Sequence, residues 1–106
     1  MAVSKPKVEI LNPEGLAIDP TLLTVILHEE DHTIGNSLKH ILCAMDGVEF
    51  AGYNVPHPLE DKIMLRLQTK TGVVASEVLL QAFDHLEAVF ANIREKFQDS
   101  YNTFKQ

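Results

Sequence analysis

From about Ala75 to Phe104 the chain runs without a single glycine or proline, and helix formers dominate it. Within that stretch Leu79, Phe83, Leu86, Phe90, Ile93 and Phe97 recur at spacings of 4, 3, 4, 3 and 4, which is the periodicity of a seam held against a neighbouring helix. Tyr101 and Phe104 prolong the row, and Ala82 and Val89 add a second row that widens it into a broad apolar face. A helix over about 75–104 would be ~45 Å long, whereas a domain of 106 residues has a radius of gyration of about 13 Å. Such a helix must overhang its own domain. The first half of its seam fits an internal core, and the overhanging half calls for a partner chain, because exposed aromatics in a row invite association.

The remaining residues supply the body. Leu22 to His28 is a short β-branched and aliphatic run and reads as a strand. Asp31 or Thr33 then offers an N-cap oxygen, and Ile34, Leu38, Ile41, Leu42 and Met45 share one face of a helix over roughly Thr33 to Met45, closed by Asp46-Gly47. Val48 to Val55 holds strand formers, with Gly52 marking a bulge or a close backbone approach. Pro56-His57-Pro58 must be a loop, since each proline fixes its own φ and restricts the residue before it. Lys62 to Lys70 alternates with Ile63, Leu65 and Leu67 on one side, the pattern of a half-buried strand. Residues 1–21, with Pro6, Pro13, Gly15 and Pro20 around Val8-Glu9-Ile10-Leu11, read as an arm with one edge strand, leaving 22–106 as the domain. The sum is an α+β fold, a small β-sheet with two helices on one face.

Composition narrows function mainly by exclusion. A net charge of −6 with scattered lysines and arginines is a poor footprint for phosphates, so no direct nucleic-acid contact is expected. No stretch approaches the ~20 apolar residues of a membrane span, and residues 1–13 lack the apolar core of a signal peptide. The single cysteine, Cys43, allows no internal disulfide, fits a reducing compartment, and is expected as a small buried apolar residue of the first helix. His28-Glu29-Glu30-Asp31-His32 matches H-E-x-x-H, in which two histidines one helical turn apart hold zinc and the glutamate acts as base. Here the first histidine ends a strand and the second sits at a helix cap. The zinc-hydrolase alternative therefore lacks its geometry, and no cofactor or metal is expected. Gly35-Asn36 in a first helical turn costs propensity and implies a close packing approach.

Two segments, Glu30-Asp31-His32-Thr33-Ile34-Gly35-Asn36-Ser37-Leu38 and Phe50-Ala51-Gly52-Tyr53-Asn54-Val55-Pro56-His57-Pro58, resemble the signatures of the small α-like subunits of eukaryotic RNA polymerases. The stretch from His28 to Leu38 and Val48-Glu49-Phe50 look most like the subunit shared by polymerases I and III, whereas Ala51-Gly52-Tyr53 and Val55 to Glu60 look closer to the polymerase II counterpart. The first is favoured, partly because the arm lacks a lysine-rich segment. The resemblance implies the fold of the dimerisation domain of the bacterial α subunit. It also implies a heterodimer with a larger α-like subunit, contact with other polymerase core subunits, no catalytic residues, and a nuclear location in nucleolus and nucleoplasm. It places Asp31, His32, Thr33, Gly35, Asn36, Gly52, Tyr53, Pro56, His57 and Pro58 in the family motif. The expected partner interface is Leu38, Ile41, Leu42 and Met45 with Leu79, Phe83, Leu86, Phe90, Ile93, Phe97 and Tyr101.

Overall fold

A computed structural model describes residues 7–105, so the part of the arm before Lys7 and the terminal Gln106 lie outside the described residues. The order is β1 (Val8–Ile10), α1 (Pro13–Ile18), β2 (Leu22–His28), α2 (His32–Cys43), β3 (Val48–Asn54), β4 (Lys62–Thr69) and α3 (Ala75–Lys105). The strands form one antiparallel sheet in the order β1-β2-β4-β3.

Period-two patterning decides which side of that sheet is covered. Leu23, Val25 and Leu27 of β2 stand opposite Leu67, Leu65 and Ile63 of β4, and Ala51 and Tyr53 of β3 stand opposite Leu67 and Leu65. Side chains directly opposite one another share a face, so this face is continuously apolar. α2 drives Leu38 and Leu42 into it, and α3 adds Ala75, Val78, Leu79 and Ala82. The ends of β2 and β4 are tied to the start of α3. Thr69 N–H donates to the Thr21 carbonyl at 2.9 Å, its hydroxyl donates to the Val73 carbonyl at 2.5 Å, and the Ala75 N–H donates to the Pro20 carbonyl at 2.8 Å. Thr69, the buried polar residue of the core, is thereby satisfied.

Several boundaries differ from expectation for local reasons. The arm is not loose over its described part: β1 pairs with β2 in register, Val8 opposite Leu27 and Ile10 opposite Val25. α1 is a third, short helix that the proline-rich composition concealed. Pro13 starts it, where a missing N–H costs nothing. Asn12 bridges to β2, its amide donating to the Leu22 carbonyl and its oxygen accepting from the Thr24 N–H. Asp19 accepts from both the hydroxyl and the N–H of Thr21, which holds its carboxyl below the usual range. α2 ends at Cys43, because the N–H groups of Ala44 and Met45 bond Ile41 and Leu42, three residues back, and tighten the last turn. The irregularity of β3 lies between Val48 and Phe50, where the register to β4 shifts, and not at Gly52.

Leu38 is wholly buried at the centre of this core. Leu38→Ala is expected to lower unfolding stability by about 2–5 kcal/mol, read from the midpoint of urea denaturation.

Candidate partner interface

α3 is longer than the sheet beneath it, and its apolar face changes surroundings along its length. Leu79 is buried in the core, Phe83 and Leu86 are half-buried against it, and from Val89 onward every residue of the face is exposed. Phe90 is 54 %, Ile93 58 % and Phe97 67 % exposed. At 100° per residue these side chains fall on the same stripe as Leu79 and Phe83, so the surface that builds the core continues bare into solvent. Phe97 and Tyr101 stack with ring centroids 6.1 Å apart. The longest dimension of the molecule is 59 Å and its radius of gyration 16.7 Å, well above the ~13 Å of a compact chain this size.

A hollow of about 510 Å³ between α2 and α3 joins the stripe near its middle, lined by His40, Ile41, Ala44 and Met45 from one helix and Gln81, His85 and Val89 from the other. Ile41, Met45, Phe83 and Leu86 are thus partly accessible at the edge of the core. Leu38 and Leu42 are not: both have 0 % exposure. Their expected place at a partner surface is corrected to the chain's own core, because the sheet already closes over that side of α2. Leu79, at 6 %, belongs to the core for the same reason. Cys43 is also corrected. It is exposed, since it falls one residue past Leu42 on α2, with its thiol 3.8 Å from the Ala51 carbonyl.

The two motif segments meet at one corner. Asp31 caps α2, its carboxylate accepting from the Thr33 N–H at 2.9 Å. The His32 ring nitrogen Nδ1 lies 2.9 Å from the Tyr53 hydroxyl, with the two rings edge to face. A Cβ on Gly35 would stand 2.6 Å from the Tyr53 ring, so the close approach foreseen at Gly35-Asn36 is an aromatic ring, and only glycine admits it. Asn36 is exposed on the outer side of the turn, as are Pro56, His57 and Pro58 beyond β3, although Pro58 and Val55 border the same hollow as Asp31 and His32. Gly52 faces the ring of Phe50 at 3.1 Å from its Cβ position.

The H-E-x-x-H geometry does not form. Glu29 has φ of +59°, a left-handed turn incompatible with the single helix the motif requires. His28 lies 3.1 Å from Glu9 and His32 bonds Tyr53. Among the described residues no three His, Cys, Asp or Glu side chains are grouped to hold a metal ion, and no helix is long and apolar enough to cross a membrane.

A four-stranded sheet covered on one face, with a terminal helix whose apolar stripe outruns it, defines a dimerisation module. Residues 22–96 match the RNA polymerase Rpb3/Rpb11 dimerisation domain, and the chain belongs to that family. It is 62 % identical over 98 residues, 92 % of this chain and 68 % of the relative, to the probable DNA-directed RNA polymerases I and III subunit RPAC2 of Caenorhabditis elegans. It is 38 % identical over 102 residues, 96 % of this chain and 89 % of the relative, to the corresponding RPAC2 subunit of Danio rerio. The crystal structure of DNA-directed RNA polymerase subunit L from Thermoplasma acidophilum shares the fold, with a TM-score of 0.75, 18 % identity, and coverage of 96 % of this chain and 95 % of that one.

Gly35→Ala is expected to destabilise the chain by about 1–3 kcal/mol through overpacking, with Tyr53→Ala recovering part of the loss in the double variant. Denaturation midpoints of the four members of that cycle measure it.

Proposed function

We propose that this chain is the smaller α-like subunit of RNA polymerases I and III, a non-catalytic assembly subunit that pairs with a larger α-like subunit. The observation that carries this reading is the bare stripe of α3 from Val89 to Phe104, an apolar surface continuous with the core that none of the described residues covers. Burying each of its aromatics is worth about 2 kcal/mol, so association there is strongly favoured. The accessible parts of Phe83, Leu86, Ile41 and Met45 would extend the interface toward the hollow between α2 and α3. The corner of Asp31, His32, Gly35 and Tyr53 would act indirectly, by fixing the angle at which α2 leaves the sheet.

The names of the similar subunits from worm and fish support polymerases I and III over polymerase II. The same reading puts the protein in the nucleus, in nucleolus and nucleoplasm, among the other core subunits of both enzymes. It assigns the chain no catalytic residue and no direct nucleic-acid contact.

Gentle-salt purification of the tagged chain from its native cells, followed by mass spectrometry, tests the class. Recovery with a larger α-like subunit and the largest subunits of polymerases I and III supports it; polymerase II subunits would correct it, and recovery with itself alone would make the stripe a homodimer seam. Phe90→Asp is expected to abolish recovery of the partner by placing an unpaired charge in an apolar seam. Leu59→Asp, at a loop position that is 100 % exposed, should leave recovery and melting temperature unchanged.

A further inference from the structure

The charges of α3 beyond the sheet are sorted around the bare stripe. At 100° per residue, with Phe97 as zero, Phe90, Ile93, Tyr101 and Phe104 all fall within about 40° of it. Arg94 follows at about 60° and Lys105 at about 80° on one side, and Lys96 at about 100° on the other. Glu95 and Asp99, each at about 160°, sit on the back of the helix. From Val89 onward every cation therefore lies nearer the stripe than either carboxylate. In the heptad that the seam sets, Arg94 holds position e and Lys96 position g, the flanking places whose charges choose partner and orientation in a helix pair.

Both cations are exposed. Among the described residues the ion pairs engage Lys7, His28 and Lys62, and none engages Arg94 or Lys96. Nearer the core the same two heptad positions are Glu87 and Val89, so the positive rim is confined to the half of the stripe that the described residues leave bare. In a chain of net charge −6 this is a local inversion of charge, aimed at whatever packs there. A second copy of this chain does not match it. Packed antiparallel about the bare half, a copy sets Arg94 against Arg94 and Lys96 against Lys96. Shifted until Glu87 reaches Arg94, it sets Phe104 against Leu79, which its own core already buries to 6 % exposure. Packed parallel and in register, it brings Val89 to Arg94 and Tyr101 to Lys96 and offers neither a carboxylate.

We propose that the α3 stripe selects its partner by charge: the occupant is a helix of a different chain whose apolar seam is flanked by Asp or Glu, and Arg94 and Lys96 are the residues that meet those carboxylates. Apolar burial supplies the attraction, and the two cations discriminate against a second copy. The proposal rests on the stripe being the partner interface and adds what the partner must carry.

Charge exchange in the complex purified with the full tagged chain tests it. Arg94→Glu combined with Lys96→Glu is expected to cut recovery of the partner about tenfold at low salt, by a margin that narrows as salt screens the repulsion. Glu95→Lys combined with Asp99→Lys, on the back of the same helix, should leave recovery unchanged. Crosslinking of Lys96 to carboxylates, mapped by mass spectrometry, is expected to fall on Asp or Glu of one partner helix, and lysines at those positions should restore recovery of the reversed chain. Recovery indifferent to the reversal of Arg94 and Lys96, an equal loss from the reversal on the back, a partner seam flanked by neutral or basic residues, or recovery of a second copy alone would overturn the proposal. Phe90→Asp separates it from the reading beneath it. Loss of the partner there, with none on charge reversal, keeps the stripe and removes the selection by charge, whereas a partner retained in Phe90→Asp removes the stripe itself.

Discussion

An apolar stripe that outlasts the sheet it packs on is the constraint around which this molecule is organised. α3 has 31 residues and rises about 46 Å, while β4, the longest strand under it, has 8 residues and covers about 27 Å. A helix this long could have ended its apolar pattern where the sheet ends. Instead Phe90, Ile93 and Phe97 keep the phase of Leu79 and Phe83, so one stripe serves an internal core for its first turns and an external surface afterwards. Folding and association then draw on the same hydrophobic term. The rigid helix carries the geometry of the core out to whatever packs on its far end.

α2 matters to that geometry by being fixed at its start and along its buried face. Its start is held by the Asp31 cap and by Tyr53, whose ring fills the place of a side chain at Gly35 while its hydroxyl meets His32. Its middle is held by Leu38 and Leu42, which have no exposure at all. With both fixed, the side of α2 carrying Ile41 and Met45 has one position relative to α3, and the hollow between the helices has a definite shape. The motif residues at this corner thus work by packing within the chain. That explains why a conspicuous run of His, Asp and Glu yields no site for a metal. Charged groups there cap a helix, turn a strand, and pair locally.

Much of this could be read from residue order because the strongest signals are periodic. β2 spans the range its β-branched run predicts, and β4 follows its alternation, because burial on one face imposes period two wherever a core exists. α3 declared itself by length and spacing. What residue order hid was decided by neighbours distant in sequence. Leu38 and Leu42 belong to the same helical face as Ile41 and Met45, and only the position of the sheet assigns the first two to the interior. Cys43 sits beside them in sequence, yet a rotation of 100° puts it outside. α1 was hidden by prolines that read as loop signals, although Pro13 at a first helical position starts a helix as readily as prolines break one. The pairing of Gly35 with Tyr53 joins residues 18 positions apart, and no local pattern could have named the ring.

The two faces of the sheet end up with opposite characters. The helix face is apolar and broad, the kind of surface that binds by area and tolerates few charges. The outer face is mixed, with Arg66 and Gln68 between Phe50 and Leu22. Because the sheet separates them, a charge on the outer face does not enter the low-dielectric region under the helices.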